Sequence, residues 1–179
     1  MSTYSTKGRL FPAVGILAAL FLRPTASHAQ NVLAVPSGYS TIQSAINAAV
    51  NGDTILVAPG TYPEHIDFLA KAITVESTDG ALVTIIDANL TDTAVRIVAN
   101  PGQSPILRGF TIRKGYGFPF AGGILAYGGP ALIENNVVTG NFGCPGGIYA
   151  WFSEAIIRNN TISNNRPNCS GGSGGGILV

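Results

Sequence analysis

The sequence predicts an all-β solenoid, a coil in which short strands stack in parallel, and two observations lead to this fold class. Residues 122–141 and 146–165 align over twenty positions with nine identities. Apolar residues in three rows also recur together, in one order, at separations of 24 to 29 residues. The rows are Ile97, Ile124, Ile148 and Ile177; Leu107, Ile133 and Ile157; and Ile112, Val138 and Ile162. A coil of three short strands places each row above its predecessor, about 4.8 Å away.

Strand-like alternation accounts for most of the chain after residue 53. Short segments with a period of two stand between turn residues, and no second helical pattern interrupts them. They are residues 54–57, 65–68, 72–76, 83–86, 94–98 and 106–112. Short strands without helices can also form a sandwich, but a sandwich has no reason to keep three apolar rows in step. The spacing therefore favours the solenoid.

One amphipathic helix is predicted between Ser40 and Asn51. Ser40 and Gln43 have the spacing of a capping box, and Asn51-Gly52 supplies a stop. Its apolar face consists of Ile42, Ala45, Ile46 and Ala49. We expect this helix to cover the first coil, hiding its apolar end and blocking strand addition.

The first 29 residues have the pattern of a secretory signal peptide. Lys7 and Arg9 precede an apolar run that is short for a membrane span, and Ser27-His28-Ala29 suits cleavage. The alternative is an uncleaved membrane anchor. Cleavage after Ala29 leaves residues 30–179 with seven basic and nine acidic residues, a net charge of −2. This balance argues against nucleic acid as a partner, and no membrane span would remain.

The repeated elements resemble a known family. Gly-Gly-Ile, Ile-x-Asn-Asn and Asn-Asn-Thr-Ile-Ser-Asn-Asn look like repeats of the right-handed parallel β-helices of the pectin-lyase-like superfamily. Residues 35–66, VPSGYSTIQSAINAAVNGDTILVAPGTYPEHI, are similar to the opening of many secreted members, including pectin methylesterases. The resemblance implies a right-handed parallel β-helix with three strands per coil and an N-terminal capping helix. It says little about activity, because these elements describe coils rather than a site.

The repeated small residues have structural roles in this fold. The paired glycines 122–123 and 146–147 permit a tight approach to the next strand. In the pairs Asn135-Asn136 and Asn159-Asn160, one residue can take the left-handed conformation of a sharp corner, and stacked amides can hydrogen-bond between coils. Because residues 174–179, GGGILV, match the start of another coil, with Ile177 and Val179 inward, the sequence predicts a fragment truncated at its C-terminus.

A disulfide is predicted between Cys144 and Cys169. They are 25 residues apart, about one coil, and stacked positions fall within the Cα separation that a disulfide needs. Secretion would supply the oxidising setting. The alternative is two free thiols, and no histidine lies nearby to suggest a metal site.

Aromatic residues are the candidate substrate-binding groups. Tyr127, Tyr149 and Trp151 are expected to point outward on the first sheet, together with Leu125, and Tyr116 lies in the long corner before it. The resemblance implies that this face forms a polysaccharide groove. Aromatic faces suit sugar rings, although they pack equally well on one another.

Candidate catalytic residues are not evident. Arg108, Glu134 and Arg158 are expected to form an outward structural ladder, and Asp67 and Arg96 an ion pair beside a lone His65. The resemblance implies calcium held by carboxylates with a basic residue in the lyases, and paired aspartates with an arginine in the methylesterases. These residues match neither pattern. No cofactor is evident, and calcium is expected only with coils missing from this chain.

The predicted function is that of a secreted or cell-surface β-helix protein that binds or processes an extracellular polysaccharide or a cell-surface glycan. If it is an enzyme, the resemblance implies a polysaccharide lyase or a carbohydrate esterase. The alternative is a non-catalytic surface or adhesive β-helix, in which a stiff rod presents its corners and aromatic residues. The sequence leaves both possibilities open.

Overall fold

The computed structural model describes residues 29–169 and 174–179, which form a parallel β-solenoid of about six turns. Every strand pair among these residues is parallel. The predicted signal peptide lies outside the described residues except for Ala29. Parallel stacking of strands that follow one another around a coil confirms the predicted solenoid.

The strands, numbered β1 to β18 along the chain, form three large sheets and one small one. Sheet 1 contains β1 (Val32–Val35), β2 (Thr54–Val57), β5 (Thr74–Ser77), β8 (Ile106–Arg108), β11 (Leu132–Glu134) and β15 (Ile156–Arg158). Sheet 2 contains β3 (Gly60–Tyr62), β6 (Thr84–Asp87), β9 (Thr111–Arg113), β12 (Val137–Thr139) and β16 (Thr161–Ser163). Sheet 3 contains β4 (Ile66–Asp67), β7 (Val95–Ala99), β10 (Ile124–Gly128), β14 (Ile148–Trp151) and β18 (Ile177–Leu178). The small sheet pairs β13 (Phe142–Gly143) with β17 (Arg166–Pro167).

The strand bounds differ from the predicted segments in two informative places. Residues 106–112 form two strands, because Gly109 adopts φ 81° and turns the chain from sheet 1 into sheet 2. The strand Gly60–Tyr62 was not predicted, since a Gly-Thr-Tyr segment after a proline has the composition of a turn. Its Tyr62 is buried, and the phenol donates to the carbonyl of Ala58 at 2.9 Å.

Two of the three predicted apolar rows have the expected register. Leu107, Ile133 and Ile157 are aligned in sheet 1, and Ile112, Val138 and Ile162 are aligned in sheet 2. The third row was wrong at its first member.

Ile124 is aligned with Val95, whereas Ile97 is aligned with Ala126. A shift of two residues keeps a side chain on the same face of a strand, so Ile97 is still fully buried. Ile177 is aligned with the buried Ile148 as expected, and therefore points to the same face of the sheet, although Ile177 and Val179 are themselves exposed.

The single helix of the described residues, α1 (Ile42–Ala48), is shorter than predicted. Its N-cap is Thr41 rather than Ser40, and the capping box is formed with Ser44 at the third helical position. The helix stops at Ala48 because Ala49 is extended and the Asp53 carboxylate accepts a hydrogen bond from the Val50 amide at 2.9 Å. The predicted apolar face is correct, since Ile42, Ala45, Ile46 and Ala49 are all buried.

The helix is joined to the segment around β4 by side chains at both of its ends. Glu64 accepts hydrogen bonds from the amides of Ile42 and Gln43 at 2.9 Å each, and Lys71 donates to the carbonyl of Ile46 at 2.7 Å. Opposite charges at the two helix ends also complement the helix dipole. The Gln43 side chain accepts from the Asp67 amide and donates to the Asp67 carbonyl, so that it pairs with β4 as a strand would.

Asparagine side chains hold one corner of successive coils, between sheets 1 and 2. Asn135 and Asn159 adopt φ 57° and 55°, the left-handed conformation predicted for one member of each pair. The Nδ2 of Asn136 donates to the Oδ1 of Asn160 at 3.1 Å, and the Asn136 amide donates to the same oxygen at 2.9 Å. The predicted hydrogen bonds between stacked amides are therefore present.

A second asparagine ladder, which the sequence reasoning missed, holds the corner that leaves sheet 2. Asn141 is fully buried, and its Oδ1 accepts from the Gly115 amide at 2.8 Å. Its Nδ2 donates to the carbonyl of Ile112 at 3.0 Å and to the Oδ1 of Asn165 at 2.9 Å. The side-chain amide of Asn141 thus hydrogen-bonds to groups of both neighbouring coils at a position that is shielded from solvent.

The glycine pairs allow two coils to approach each other closely. A Cβ at Gly122 would lie 2.3 Å from the carbonyl oxygen of Phe142, and one at Gly147 would lie 2.2 Å from that of Gly176. Neither distance is possible for a real side chain, so the pairs are required by backbone contact.

The outer face of sheet 1 carries a ladder of alternating charge. Arg108 lies between Glu76 and Glu134, and Arg158 follows, so the predicted row of three is a row of four. Glu134 accepts from Arg158 at 2.8 Å and lies 3.7 Å from Arg108. The hydrogen bond to Glu76 raises the pKa of Arg108 above its ordinary value. The ladder links four coils and has a structural role, as expected.

The predicted disulfide is present. Cys144 and Cys169 are bonded, with their Cα atoms 5.7 Å apart, and they connect the segments around β13 and β17. A disulfide fits a protein of an oxidising, extracellular setting. Among the residues that the structure describes, no helix is long and apolar enough to cross a membrane.

Replacement of Asn141 by alanine should lower the free energy of unfolding by about 1–3 kcal/mol, because the buried Gly115 amide would lose the side-chain oxygen that accepts its hydrogen bond. Urea unfolding followed by circular dichroism measures the loss. Asn164→Gly is the matched control, since Asn164 adopts φ 55° in the same corner and glycine accepts that conformation. An Asn141→Ala variant as stable as this control would contradict the role of the second ladder.

Asp87 should make the fold sensitive to acid. Burial disfavours its charge, but hydrogen bonds from Lys114, Arg113 and the Asn89 amide outweigh burial and hold the pKa of this carboxyl below its ordinary value. Its contribution to stability is therefore full above the unfolded pKa of about 3.9 and is lost as pH falls through the lower native pKa.

The Asp87→Asn variant tests this contribution. We expect it to be about 1–2 kcal/mol less stable than the wild type at pH 7. The difference should shrink as the pH falls below about 4, because the wild type then loses its charged carboxylate. Urea unfolding at a series of pH values measures it, and a difference that stays constant down to pH 2 would contradict the assignment.

Candidate functional site

The candidate site is a cleft on the outer face of sheet 3. Side chains that point away from the core of β7, β10 and β14 form its floor, and the corner of residues 115–123 forms one wall. We call it the aromatic cleft; its volume is about 200 Å³, and it is lined by Arg96, Val98, Phe120, Leu125, Tyr127 and Trp151.

The parallel register of sheet 3 positions these residues. Tyr127 is aligned with Val98 on one side and Trp151 on the other, and Leu125 lies between Arg96 and Tyr149. Successive side chains of a strand alternate between faces, so both rows point outward as predicted. Leu125 is nevertheless only 5% exposed, because it forms the floor of the cleft.

Trp151 is the centre of the aromatic group. Its ring centroid lies 5.3 Å from that of Tyr127, 5.4 Å from Phe152, 5.7 Å from Phe120 and 6.1 Å from Tyr149. These separations are typical of favourable ring contacts. Trp151 and Tyr127 still expose 37% and 41% of their surface, so the rings support one another and leave faces open to the cleft.

The corner that bears Phe120 is held by backbone hydrogen bonds to the next coil. The Cys144 amide donates to the Phe120 carbonyl at 2.9 Å, and the Gly117 amide donates to the Phe142 carbonyl at 2.8 Å. Cys144, whose amide makes the first of these hydrogen bonds, is itself joined to Cys169 by the disulfide. The wall of the cleft is therefore built on paired backbone.

The structure does not bring Tyr116 into the aromatic cleft. Its backbone bridges to Phe142, and its phenol oxygen accepts a hydrogen bond from the Nδ2 of Asn168 at 2.9 Å. Phe120, which is four residues further on in the same corner, takes the place at the cleft that was expected of Tyr116. The sequence pattern does not indicate which residue of a long corner reaches the outer face of the strand.

A small polar pocket adjoins the aromatic cleft and shares Arg96 with it. The polar pocket, of about 100 Å³, is lined by His65, Ile66, Asp67, Asp92, Thr93 and Arg96. Sequence reasoning treated His65 as lone and did not consider Asp92, because residue 92 belongs to a turn rather than to a predicted strand.

The expected ion pair between Asp67 and Arg96 is not formed. The two residues are aligned across β4 and β7, but the Asp67 carboxylate accepts a hydrogen bond from the Leu69 amide at 2.8 Å. Within the described residues, their charged groups do not approach within 4.0 Å. No group of three or more His, Cys, Asp or Glu side chains in that part of the chain is placed to hold a metal ion.

A larger cavity, of about 450 Å³, lies at the other end of the solenoid beside β1 and Tyr39. The carboxylate that lines it, Asp53, accepts hydrogen bonds from the amides of Asn31 and Val50, both at 2.9 Å. The Asp53 carboxylate fixes the turn after the helix. The aromatic cleft is therefore the stronger candidate for ligand binding.

Comparison of the chain with protein-family models, with curated proteins and with solved structures finds no match.

The packing around Trp151 can be tested by fluorescence, since the chain contains one tryptophan. Phe120→Ala should shift the emission of Trp151 to longer wavelength and make acrylamide quench it more steeply, because the ring that shields it is removed. Phe118→Ala is the matched control, as Phe118 belongs to the same corner but is 70% exposed. Equal quenching of the two variants would contradict the described wall.

Proposed function

We propose that this chain is a secreted or cell-surface β-helix protein that binds an extracellular polysaccharide in the aromatic cleft. We further propose that its solenoid is a right-handed parallel β-helix of the pectin-lyase-like type, with three strands per coil and α1 as its N-terminal cap. The observation that carries the functional proposal is the group of rings around Trp151, which leaves faces of Trp151 and Tyr127 open in a cleft.

Sugar rings suit such a surface. The axial C–H groups of a pyranose make an apolar face that packs on an aromatic ring, while its hydroxyl groups stay in water or bond to polar side chains. The polar pocket next to the cleft supplies such side chains in His65, Asp67 and Asp92. A ligand that has both apolar faces and hydroxyl groups therefore matches the two adjoining surfaces.

The geometry favours a chain of sugars over a single one. The cleft crosses β7, β10 and β14, and each coil advances by about 4.8 Å along the axis of the solenoid. A linear oligosaccharide laid along this axis meets Arg96 on one coil, Tyr127 on the next and Trp151 on the third. Repeated sugar units thus face repeated coils.

Two forms of this function remain in competition. Processing, as by a polysaccharide lyase or a carbohydrate esterase, would require the carboxylates and the histidine of the polar pocket to act on the bound glycan. A non-catalytic surface or adhesive protein would use the cleft for attachment alone. The ladders of charge and of asparagine tie successive coils together on the remaining faces, and this rigid support serves either form.

Oligosaccharide titration tests the proposal, with Trp151 as the reporter. Addition of oligosaccharides from plant and bacterial cell walls should shift or quench the emission of the wild type. Tyr127→Ala should weaken binding by about tenfold or more, which is typical of losing a ring from a binding site.

Leu82→Ala is the matched control, because Leu82 is 91% exposed in a corner outside the cleft. It should bind as the wild type does. Retention of full affinity in Tyr127→Ala, or loss of affinity in Leu82→Ala, would argue against the aromatic cleft as the binding site. Release of unsaturated or de-esterified products by the wild type would decide for processing over attachment.

A further inference from the structure

Three segments of the chain have the sequence that accepts an N-linked oligosaccharide, an asparagine followed two residues later by serine or threonine with no proline between them. They are Asn89-Leu90-Thr91, Asn159-Asn160-Thr161 and Asn168-Cys169-Ser170. Such a triplet also arises by chance, so its structural context decides whether it fits a modified protein. Because attached sugars must project into solvent, the asparagine has to be exposed and its amide nitrogen must take no part in the fold.

Asn89 lies at the tip of a tight turn between β6 and β7. The Thr91 amide donates to the Ala88 carbonyl at 3.0 Å and closes the turn. Asn89 and Leu90 adopt φ 51° and 60°, as the two central residues of a type I′ turn do. Asn89 is exposed, and its side-chain amide makes no hydrogen bond within the described residues. The Asn89 side chain is therefore available to carry a large substituent.

Asn159 lies in the two-residue corner between β15 and β16. It is exposed, it adopts φ 55°, and its side-chain amide has no hydrogen-bond partner in the part of the chain that the structure describes. The hydrogen bonds of this corner belong to the next residue, since the Nδ2 of Asn160 donates to the Ile133 carbonyl at 2.8 Å. A substituent on Asn159 therefore leaves the asparagine ladder intact.

The third triplet has a different context. The Nδ2 of Asn168 donates to the phenol oxygen of Tyr116 at 2.9 Å, and Cys169 is held in the disulfide. A sugar on this nitrogen would compete with the contact to Tyr116. The inference is therefore confined to the first two triplets.

We infer that Asn89 and Asn159 carry N-linked oligosaccharides. In this modification the Nδ2 of the asparagine forms a bond to C1 of an oligosaccharide that is carried on a polyprenyl diphosphate. The bond between C1 and the diphosphate oxygen breaks, the diphosphate leaves with the electron pair, and the amide gives up one proton. The secretory pathway supplies this donor, so the inference rests on the secreted location in the proposed function.

Both sites lie outside the aromatic cleft. Asn159 is at the corner between sheets 1 and 2, whereas the cleft is on the outer face of sheet 3. Asn89 is in the turn that leaves sheet 2, and it does not line the cleft. Oligosaccharides at these sites would cover other faces of the solenoid, including the exposed Leu90, and leave the cleft open.

Asn135 is a matched control within the chain. It lies in the corner one coil before Asn159, it is exposed, and it adopts φ 57°. Its triplet ends in Val137, however, which is aligned with Thr161 on the next coil. Asn135 should therefore carry no oligosaccharide, although its surroundings match those of Asn159.

Peptide mass spectrometry of the full chain, secreted from yeast with its own leader, tests the inference. Release of the oligosaccharides with a peptide N-glycosidase converts each modified asparagine to aspartate and thereby marks it. The mark should appear at Asn89 and Asn159 and be absent from Asn135. Thr161→Val should remove the mark from Asn159, and Val137→Thr should create one at Asn135, because each exchange only swaps a hydroxyl for a methyl group.

Asn89→Gly should lower the mass of the secreted protein by one oligosaccharide, and glycine accepts the backbone conformation of this turn. Enzymatic release of the oligosaccharides should leave the emission of Trp151 unchanged, because neither site lines the cleft.

The outcomes separate the inference from the proposed function. An unmarked Asn89 or Asn159 in the secreted protein would overturn the assignment of that site, as would a mark that persists at Asn159 in Thr161→Val. A shift in the emission of Trp151 on release would contradict the placement of the oligosaccharides outside the cleft. A chain that stays inside the cell with its leader uncut would instead overturn the secreted location in the proposed function.

Discussion

From residue 107 onward, the solenoid depends on the hydrogen bonds that asparagine side chains make between coils. Strands of two to five residues have few backbone hydrogen bonds, so hydrogen bonds at the corners reinforce the register that the buried face of each strand specifies. Asn136 and Asn141 each donate to and accept from neighbouring coils, inside the corner and away from water. The residue before each of them, Asn135 or Gly140, has positive φ and makes the bend. Bend and register are thereby set together.

Because the register is fixed, the order of residues along the chain decides which side chains share a surface of the solenoid. Residues one coil apart become neighbours, so like positions form rows of like chemistry. On sheet 1 the row alternates in charge and stabilises the coil. On sheet 3 the rows bring Tyr127 beside Trp151 and place Arg96 between Asp67 and Leu125. The same stacking therefore produces a face of paired charges on sheet 1 and a face with exposed aromatic rings on sheet 3.

The sequence predicted the repeats well, and its failures have physical causes. Period and spacing identified the solenoid, two of the three apolar rows, the disulfide and the outward aromatic residues. They could do so because residues that are one coil apart in the sequence become neighbours when the coils stack. The helix bounds, the Ile97 alignment and the place of Tyr116 were wrong or unexpected where the coils differ in length. The pairing of Asp67 with Leu69 rather than Arg96 depends on a local turn, which spacing does not describe. The polar pocket was missed because Asp92 lies in such a turn.

The two kinds of corner also differ in how much change in sequence length they can accept. In the coils that begin at β8, β11 and β15, the corner between sheets 1 and 2 is two residues, Gly109-Phe110, Asn135-Asn136 or Asn159-Asn160, and an added residue there would disturb the ladder. The corner between β5 and β6 has six residues, 78–83. The segment between sheets 2 and 3 differs in length from coil to coil, and it is the one that overhangs the aromatic cleft. Evolution can thus lengthen or replace the wall of the cleft while the rod beneath it stays unchanged. Such a scaffold is suited to acquire new ligand preferences by insertion at one edge, much as antibody loops do on a conserved framework.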